Sequence, residues 1–76
     1  MAEYAYRVIY EPIAEGGYQV IVPALPEIIT YGRTLEEARE MAQDAIRCHV
    51  GSLLKDREPI PRDIEHLTER LAVSIP

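Results

Sequence analysis

Cys48 is the only cysteine in the chain, so no internal disulfide can form. No Cys/His cluster supplies the ligands of a structural zinc either. No run approaches the ~20 consecutive apolar residues that a membrane helix needs. Residues 1–6 carry Glu3 and lack an apolar stretch followed by small residues, so no secretory leader is read there. Basic residues are scarce, 8 against 13 acidic, for a net charge of −5. That balance argues against a general nucleic-acid binder, which presents a basic face to phosphates. It suits a basic protein partner, and equally an ordinary mildly acidic soluble protein. The length of 76 residues leaves no room for a second core, and a core of this size supplies only ~3–5 kcal/mol. With neither disulfide nor metal, self-association into a homodimer or homotetramer is the expected support. A lone thiol also fits a reducing cytoplasm.

Residues 16–38 organise what is present. Before them, residues 4–11 alternate, with Tyr4, Tyr6, Val8 and Tyr10 on one face and Ala5, Arg7, Ile9 and Glu11 on the other. Such a period-two pattern of aromatic and β-branched residues predicts a strand. Gly16-Gly17 supplies the positive φ angles of a tight hairpin, so residues 18–23 should return antiparallel, with Tyr18, Val20 and Val22 opposite in face to Gln19 and Ile21. Pro23 and Pro26 bracket Ala24-Leu25 and predict a stiff, exposed crossing. Residues 28–31 read as a third short strand.

Thr34 and Glu37 stand at the spacing of a capping box, with the Thr34 hydroxyl accepting from the amide three residues on and Glu37 reaching back to the amide of the cap. A helix is predicted over residues 35–56. Its apolar stripe is Leu35, Ala38, Met41, Ala42, Ala45, Ile46, Val50, Leu53 and Leu54. Pro59 and Pro61 make a rigid link. In the tail, Ile64, Leu67 and Leu71 have helical spacing, while Leu71, Val73 and Ile75 alternate with Ala72 and Ser74. Between helix and strand, the favoured reading is a turn or single helical turn near residues 63–67 and a fourth strand over 69–75, returning beside the first strand. The fold class is therefore α+β, a two-layer β-β-β-α-β domain covering residues 1–76 with one sheet face uncovered.

Catalytic templates fit poorly. His49 and His66 read as boundary and surface residues, not a catalytic pair or metal ligands. Cys48 reads as a buried or interfacial thiol, since its neighbours Arg47 and His49 point about 100° away around a helix. No G-x-S-x-G elbow and no G-x-x-x-x-G-K loop occur. Glu11 and Glu15 flank the hairpin turn and could form a pair, but no further carboxylate in the strands completes a two-metal site. The tyrosines could stack on bases, although sheet packing or dimer burial explains them without a basic face. No catalytic residue, metal or cofactor is expected.

Tyr6-Arg7-Val8-Ile9-Tyr10-Glu11-Pro12, Gly16-Gly17-Tyr18-Gln19-Val20-Ile21-Val22-Pro23, Leu25-Pro26, Gly32-Arg33-Thr34-Leu35-Glu36-Glu37-Ala38 and Pro59-Ile60-Pro61, in this order and spacing, resemble the HicB-type antitoxin domain. The signature positions are Gly16, Gly17, Tyr18, Pro23, Pro26, Gly32, Thr34, Glu37 and Ala38, and each also has a structural explanation. The resemblance implies a truncated ribonuclease H-like sheet without a working active site. It also implies a partner, a small basic RNA-cleaving HicA-type toxin, which the antitoxin binds and blocks. Family members commonly carry Pro-Gly-Cys where this chain has Pro26-Glu27-Ile28, so the crossing loop should differ. Many full antitoxins add a C-terminal DNA-binding segment, for which residues up to Pro76 leave no room, so DNA binding is not expected of this chain alone. The leading expectation is a non-enzymatic antitoxin, or an orphan relative of one, with Glu11, Glu15 and Tyr31 as candidate partner-contacting residues. The alternatives are a minimal metal-dependent ribonuclease H-like nuclease using Glu11 and Glu15, and a nucleic-acid-binding accessory protein using the tyrosines.

Overall fold

The computed structural model describes residues 3–76; Met1 and Ala2, at the start of the segment read for a leader, lie outside them. Three strands form one antiparallel sheet in the order β1-β2-β3: β1 is Ile9–Pro12, β2 is Tyr18–Ile21 and β3 is Thr30–Gly32. One long helix, α1 (Leu35–Lys55), lies across β2 and β3. The α+β class and the antiparallel hairpin follow the sequence reading, while the expected fourth strand is missing.

The hairpin forms where the glycines require it. Ile13 donates to the Gly17 carbonyl at 3.0 Å and Gly16 to the Ile13 carbonyl at 2.8 Å, with φ of +105° at Gly16 and +89° at Gly17. These angles are easy only without a Cβ. The turn sets the register Pro12↔Tyr18, Glu11↔Gln19, Tyr10↔Val20 and Ile9↔Ile21.

β1 is shorter than residues 4–11 because its partner runs out. The next pairing would set Val8 against Val22, and the one after would require Pro23, which has no N–H and turns the chain. Residues 3–8 therefore carry no strand pairing, although Tyr6, Val8 and Tyr10 still pack against the core. β3 is likewise confined to residues 30–32, because Ile28 closes a turn by donating to the Leu25 carbonyl at 3.1 Å.

The proline-bracketed crossing is not the exposed connection expected. Leu25 donates to the Val22 carbonyl at 2.9 Å, and this turn drives Ala24 and Leu25 inward, leaving Leu25 0% exposed. With one helix over three short strands, the core lacks a large side chain at its centre, and the loop supplies it. Leu25 joins Val20, Val22, Ala38, Ala42 and Val50 in the buried cluster.

The helix starts at its cap. Thr34 has extended backbone and its Oγ1 accepts from the Glu37 amide at 3.0 Å. Glu37 reaches back one residue further than expected, its Oε1 accepting from the Arg33 amide at 3.0 Å. Only part of the apolar stripe is covered. Ala38, Ala42 and Val50 are buried and Ile46 packs beside them, whereas Leu35 and Leu54, at the two ends of the helix, and Met41, at the margin of the stripe, remain exposed. At the other end Arg57 takes φ +56°. Glu58 then donates to the Leu53 carbonyl at 2.8 Å and Arg57 to that of Leu54 at 3.2 Å, the double closure of a Schellman motif.

Residues 61–76 have no regular structure, so neither the turn near 63–67 nor the strand over 69–75 forms. A lone strand cannot satisfy its backbone groups without a neighbouring edge. This segment touches the domain only at its start, where Tyr6 Oη donates to the Pro61 carbonyl at 2.6 Å and the Arg7 amide donates to Asp63 Oδ1 at 2.8 Å. The projecting tail makes the molecule 56 × 26 × 19 Å, with a radius of gyration of 15.3 Å against roughly 11 Å for a compact chain of this length.

Candidate functional site

Strand alternation divides the sheet into two surfaces. Tyr10, Val20 and Thr30 stand in register on the face that α1 covers, since Val20 is in the buried core. Their neighbours point the other way. Glu11, Gln19 and Tyr31 form a continuous row across all three strands of the open face, with Ile9 and Ile21 paired next to it. Glu11, Gln19 and Tyr31 are exposed, Tyr31 by 44%.

Tyr31 is held in place. Its Oη donates to the Gly16 carbonyl at 3.0 Å, so the ring spans from β3 to the hairpin loop. It lies so close over Gly17 that any Cβ there would strike the phenol. The second glycine of the pair thus serves both the turn and the seating of this tyrosine. Glu15 is exposed in the same loop, next to Gly16. The hairpin and the register consequently bring the three candidate residues Glu11, Glu15 and Tyr31 to one side of the sheet and its adjoining loop. The row also includes Gln19, flanked by the Ile9–Ile21 pair. The alternation of residues 18–22 already put Gln19 and Ile21 on a shared face, but which face the helix would cover was not legible.

The row carries no basic side chain and adjoins an apolar pair. An exposed sheet face of this kind suits contact with another protein better than enclosure of a small substrate. Among the described residues, no group of three or more His, Cys, Asp or Glu is placed to hold a metal ion. Tyr6, Tyr10 and Tyr18 pack against the core on the helix side and present no stacking platform on the open face.

The remaining reactive side chains lie apart from the row. Of the buried or interfacial thiol expected, the buried form is not seen: Cys48 is exposed, because it falls on the side of α1 away from Ala38, Ala42 and Val50. His49 is half-buried on α1, its Nε2 3.5 Å from Glu27 Oε1 of the crossing loop. His66 is exposed in the tail. Arg47 and Asp44 form an exposed pair at 3.0 Å, one turn apart on α1. No helix among the described residues is long and apolar enough to cross a membrane.

The family model described as HicB_like antitoxin of bacterial toxin-antitoxin system matches residues 6–74. Antitoxin HicB 1 of Photorhabdus laumondii is 48% identical over 56 residues, covering 74% of this chain and 36% of that protein. Antitoxin HicB of Escherichia coli K12 is 41% identical over 56 residues, again 74% of this chain and 41% of the relative. The matched segment thus covers well under half the length of these two antitoxins. UPF0150 protein Ta0767 of Thermoplasma acidophilum is nearer in size, 47% identical over 58 residues that cover 76% of this chain and 84% of that protein. The hairpin glycines, the capped helix and the crossing with its buried Leu25 lie within the matched span, and the chain belongs to the HicB-like antitoxin family of bacterial toxin–antitoxin systems.

Proposed function

We propose that this protein is a non-enzymatic antitoxin, working in the cytoplasm, that binds a small basic HicA-type RNA-cleaving toxin and masks its catalytic surface. The observation carrying this reading is the open sheet face, with its in-register row Glu11–Gln19–Tyr31 beside the Ile9–Ile21 pair. The row offers a carboxylate, an amide and a fixed phenol for hydrogen bonding, and the isoleucines supply apolar area. Glu15 extends the acidic character to the hairpin loop. The net charge of −5 favours encounter with a basic partner and speeds association at low salt.

Neither alternative gains support. A nuclease needs several carboxylates around its metals, and Glu11 and Glu15 have no third carboxylate grouped with them among the described residues. A base-stacking accessory needs exposed aromatics on a basic surface, and Tyr31 is the sole tyrosine of the open row.

The test is inhibition of RNA cleavage by a purified small basic HicA-type toxin, with and without Glu11→Arg and Glu15→Arg. Stoichiometric inhibition by the unaltered chain, weakened at least ~10-fold by the charge reversals, is the expected result. Full inhibition by the doubly reversed chain would move the interface off this face. Absence of both binding and inhibition would remove the antitoxin reading.

A further inference from the structure

The tail and a groove on the same molecule are complementary, and neither is occupied by its own chain. Leu71, Val73 and Ile75 recur at period two and are 77%, 78% and 84% exposed. Such spacing lines one face of a strand, yet residues 69–75 carry no strand pairing. Burying these side chains would remove apolar surface from water.

The groove opens on the opposite side of the molecule from the Glu11–Gln19–Tyr31 row. It has a volume of about 720 Å³ and runs between residues 3–10 and α1, floored by Tyr6, Val8, Tyr10, Ala42 and Ile46. Its existence follows from the fold: α1 lies over β2 and β3, so the β1 side of the sheet is left without a cover. β1 is also an edge strand, and residues 3–8 ahead of it carry no strand pairing. One wall of the groove therefore offers backbone groups able to accept another strand. Arg39 and Arg47 line the helix side, while the arm carries Glu65 and Glu69.

We infer that residues 69–75 form an exchanged strand that enters this groove on a second copy of the chain, with each copy giving one arm and receiving one. Three observations select a second copy over the chain's own arm. The arm is pinned at its root by the Tyr6–Pro61 and Arg7–Asp63 hydrogen bonds, next to the groove's Tyr6 end. Folding back in cis would need a reversal within residues 64–70, which contain no Gly, Pro, Asn or Asp and hence none of the usual turn formers. The arm is already extended away from its own domain, as the 56 Å length of the molecule records, and exchange keeps that conformation. Reciprocal exchange gives a closed two-fold dimer at low conformational cost. The strand read from the sequence at 69–75 then exists, but on the partner's sheet. The inference does not depend on the antitoxin reading.

The test uses the full chain. Light scattering after size-exclusion chromatography at micromolar concentration should give the mass of a dimer. Leu71→Asp with Val73→Asp should reduce it to a monomer, weakening self-association by at least ~100-fold, while the helical circular dichroism stays unchanged because both positions lie outside the folded core. In a Cys48→Ser background, chains carrying Val73→Cys mixed with chains carrying Gln43→Cys should cross-link to a disulfide dimer. Overturning results are a monomeric unaltered chain, a dimer that survives the arm substitutions, or a disulfide that forms within a Val73→Cys/Gln43→Cys chain but never between singly substituted ones. Toxin inhibition by the arm variant, measured separately, distinguishes loss of exchange from loss of the open-face function.

Discussion

Gly32 lies directly beneath Ala38: a Cβ on Gly32 would fall inside the backbone of Ala38 and within 2.8 Å of the Glu37 carbonyl carbon. The last residue of β3 and the first turn of α1 are thus in backbone contact, which fixes how the helix leaves the sheet. Gly32→Ala should destabilise the fold by about 2–4 kcal/mol, read as a fall in the urea midpoint. Gly51→Ala, where nothing lies within 4 Å of the added carbon, should instead stabilise by roughly 0.5–1 kcal/mol through helix propensity. Equal effects at the two positions would refute the close packing at Gly32.

Leu25 is the largest fully buried side chain and comes from a loop. Leu25→Ala should cost about 2–5 kcal/mol, comparable with the whole ~3–5 kcal/mol available to a domain of this size. The substituted chain should therefore be largely unfolded at 25 °C by circular dichroism. An effect below about 1 kcal/mol would show that the crossing loop is not part of the core.

Arg57 occupies the left-handed position that closes α1, with φ +56°, a conformation that burdens any residue with a Cβ. Arg57→Gly should raise stability by roughly 0.5–1 kcal/mol, seen as an upward shift in the thermal midpoint. A fall would mean that the Arg57 side chain makes contacts outweighing the backbone relief.

Tyr6 titrates above its ordinary value, first because burial disfavours the phenolate and then because Tyr4 and Asp63 lie near. Its phenol donates to the Pro61 carbonyl at 2.6 Å, a bond that needs the proton. Above about pH 10 the unfolded chain gives up this proton before the folded one does, so stability contributed by Tyr6 is whole below that pH and falls as pH rises through the folded-state value. The stability gap between the unaltered chain and Tyr6→Phe should consequently narrow from about pH 8 to about pH 11. A gap independent of pH would contradict the raised pKa.

Much of the local structure was legible because local physics decides it. Gly16-Gly17 could only be a turn, since both need positive φ, and Thr34 with Glu37 marked the helix start to the residue. The limits of legibility are equally specific. The stripe through Leu35, Met41 and Leu54 looked like core, but periodicity records which residues could be buried and not how far along the helix the covering sheet reaches. Leu25 sat in a proline-flanked loop that pattern reads as exposed. Residues 69–75 alternated like a strand, and alternation cannot name the edge that receives it.

The candidate site follows the same division. In the sequence Glu11 and Glu15 flank a hairpin and Tyr31 stands apart in the third strand; the register across β2 put Glu11 and Tyr31 in a single row through Gln19, and the Tyr31–Gly16 hydrogen bond fixed the phenol against the loop that carries Glu15. What the sequence by itself determined was therefore the family, the hairpin and the capped helix, because backbone conformation and capping act over a few neighbouring residues. What only the tertiary structure decided was which sheet face stays open, what fills the core and that the last segment finds no edge of its own. Those depend on where one helix lies across three strands, a relation between distant residues that no local pattern encodes.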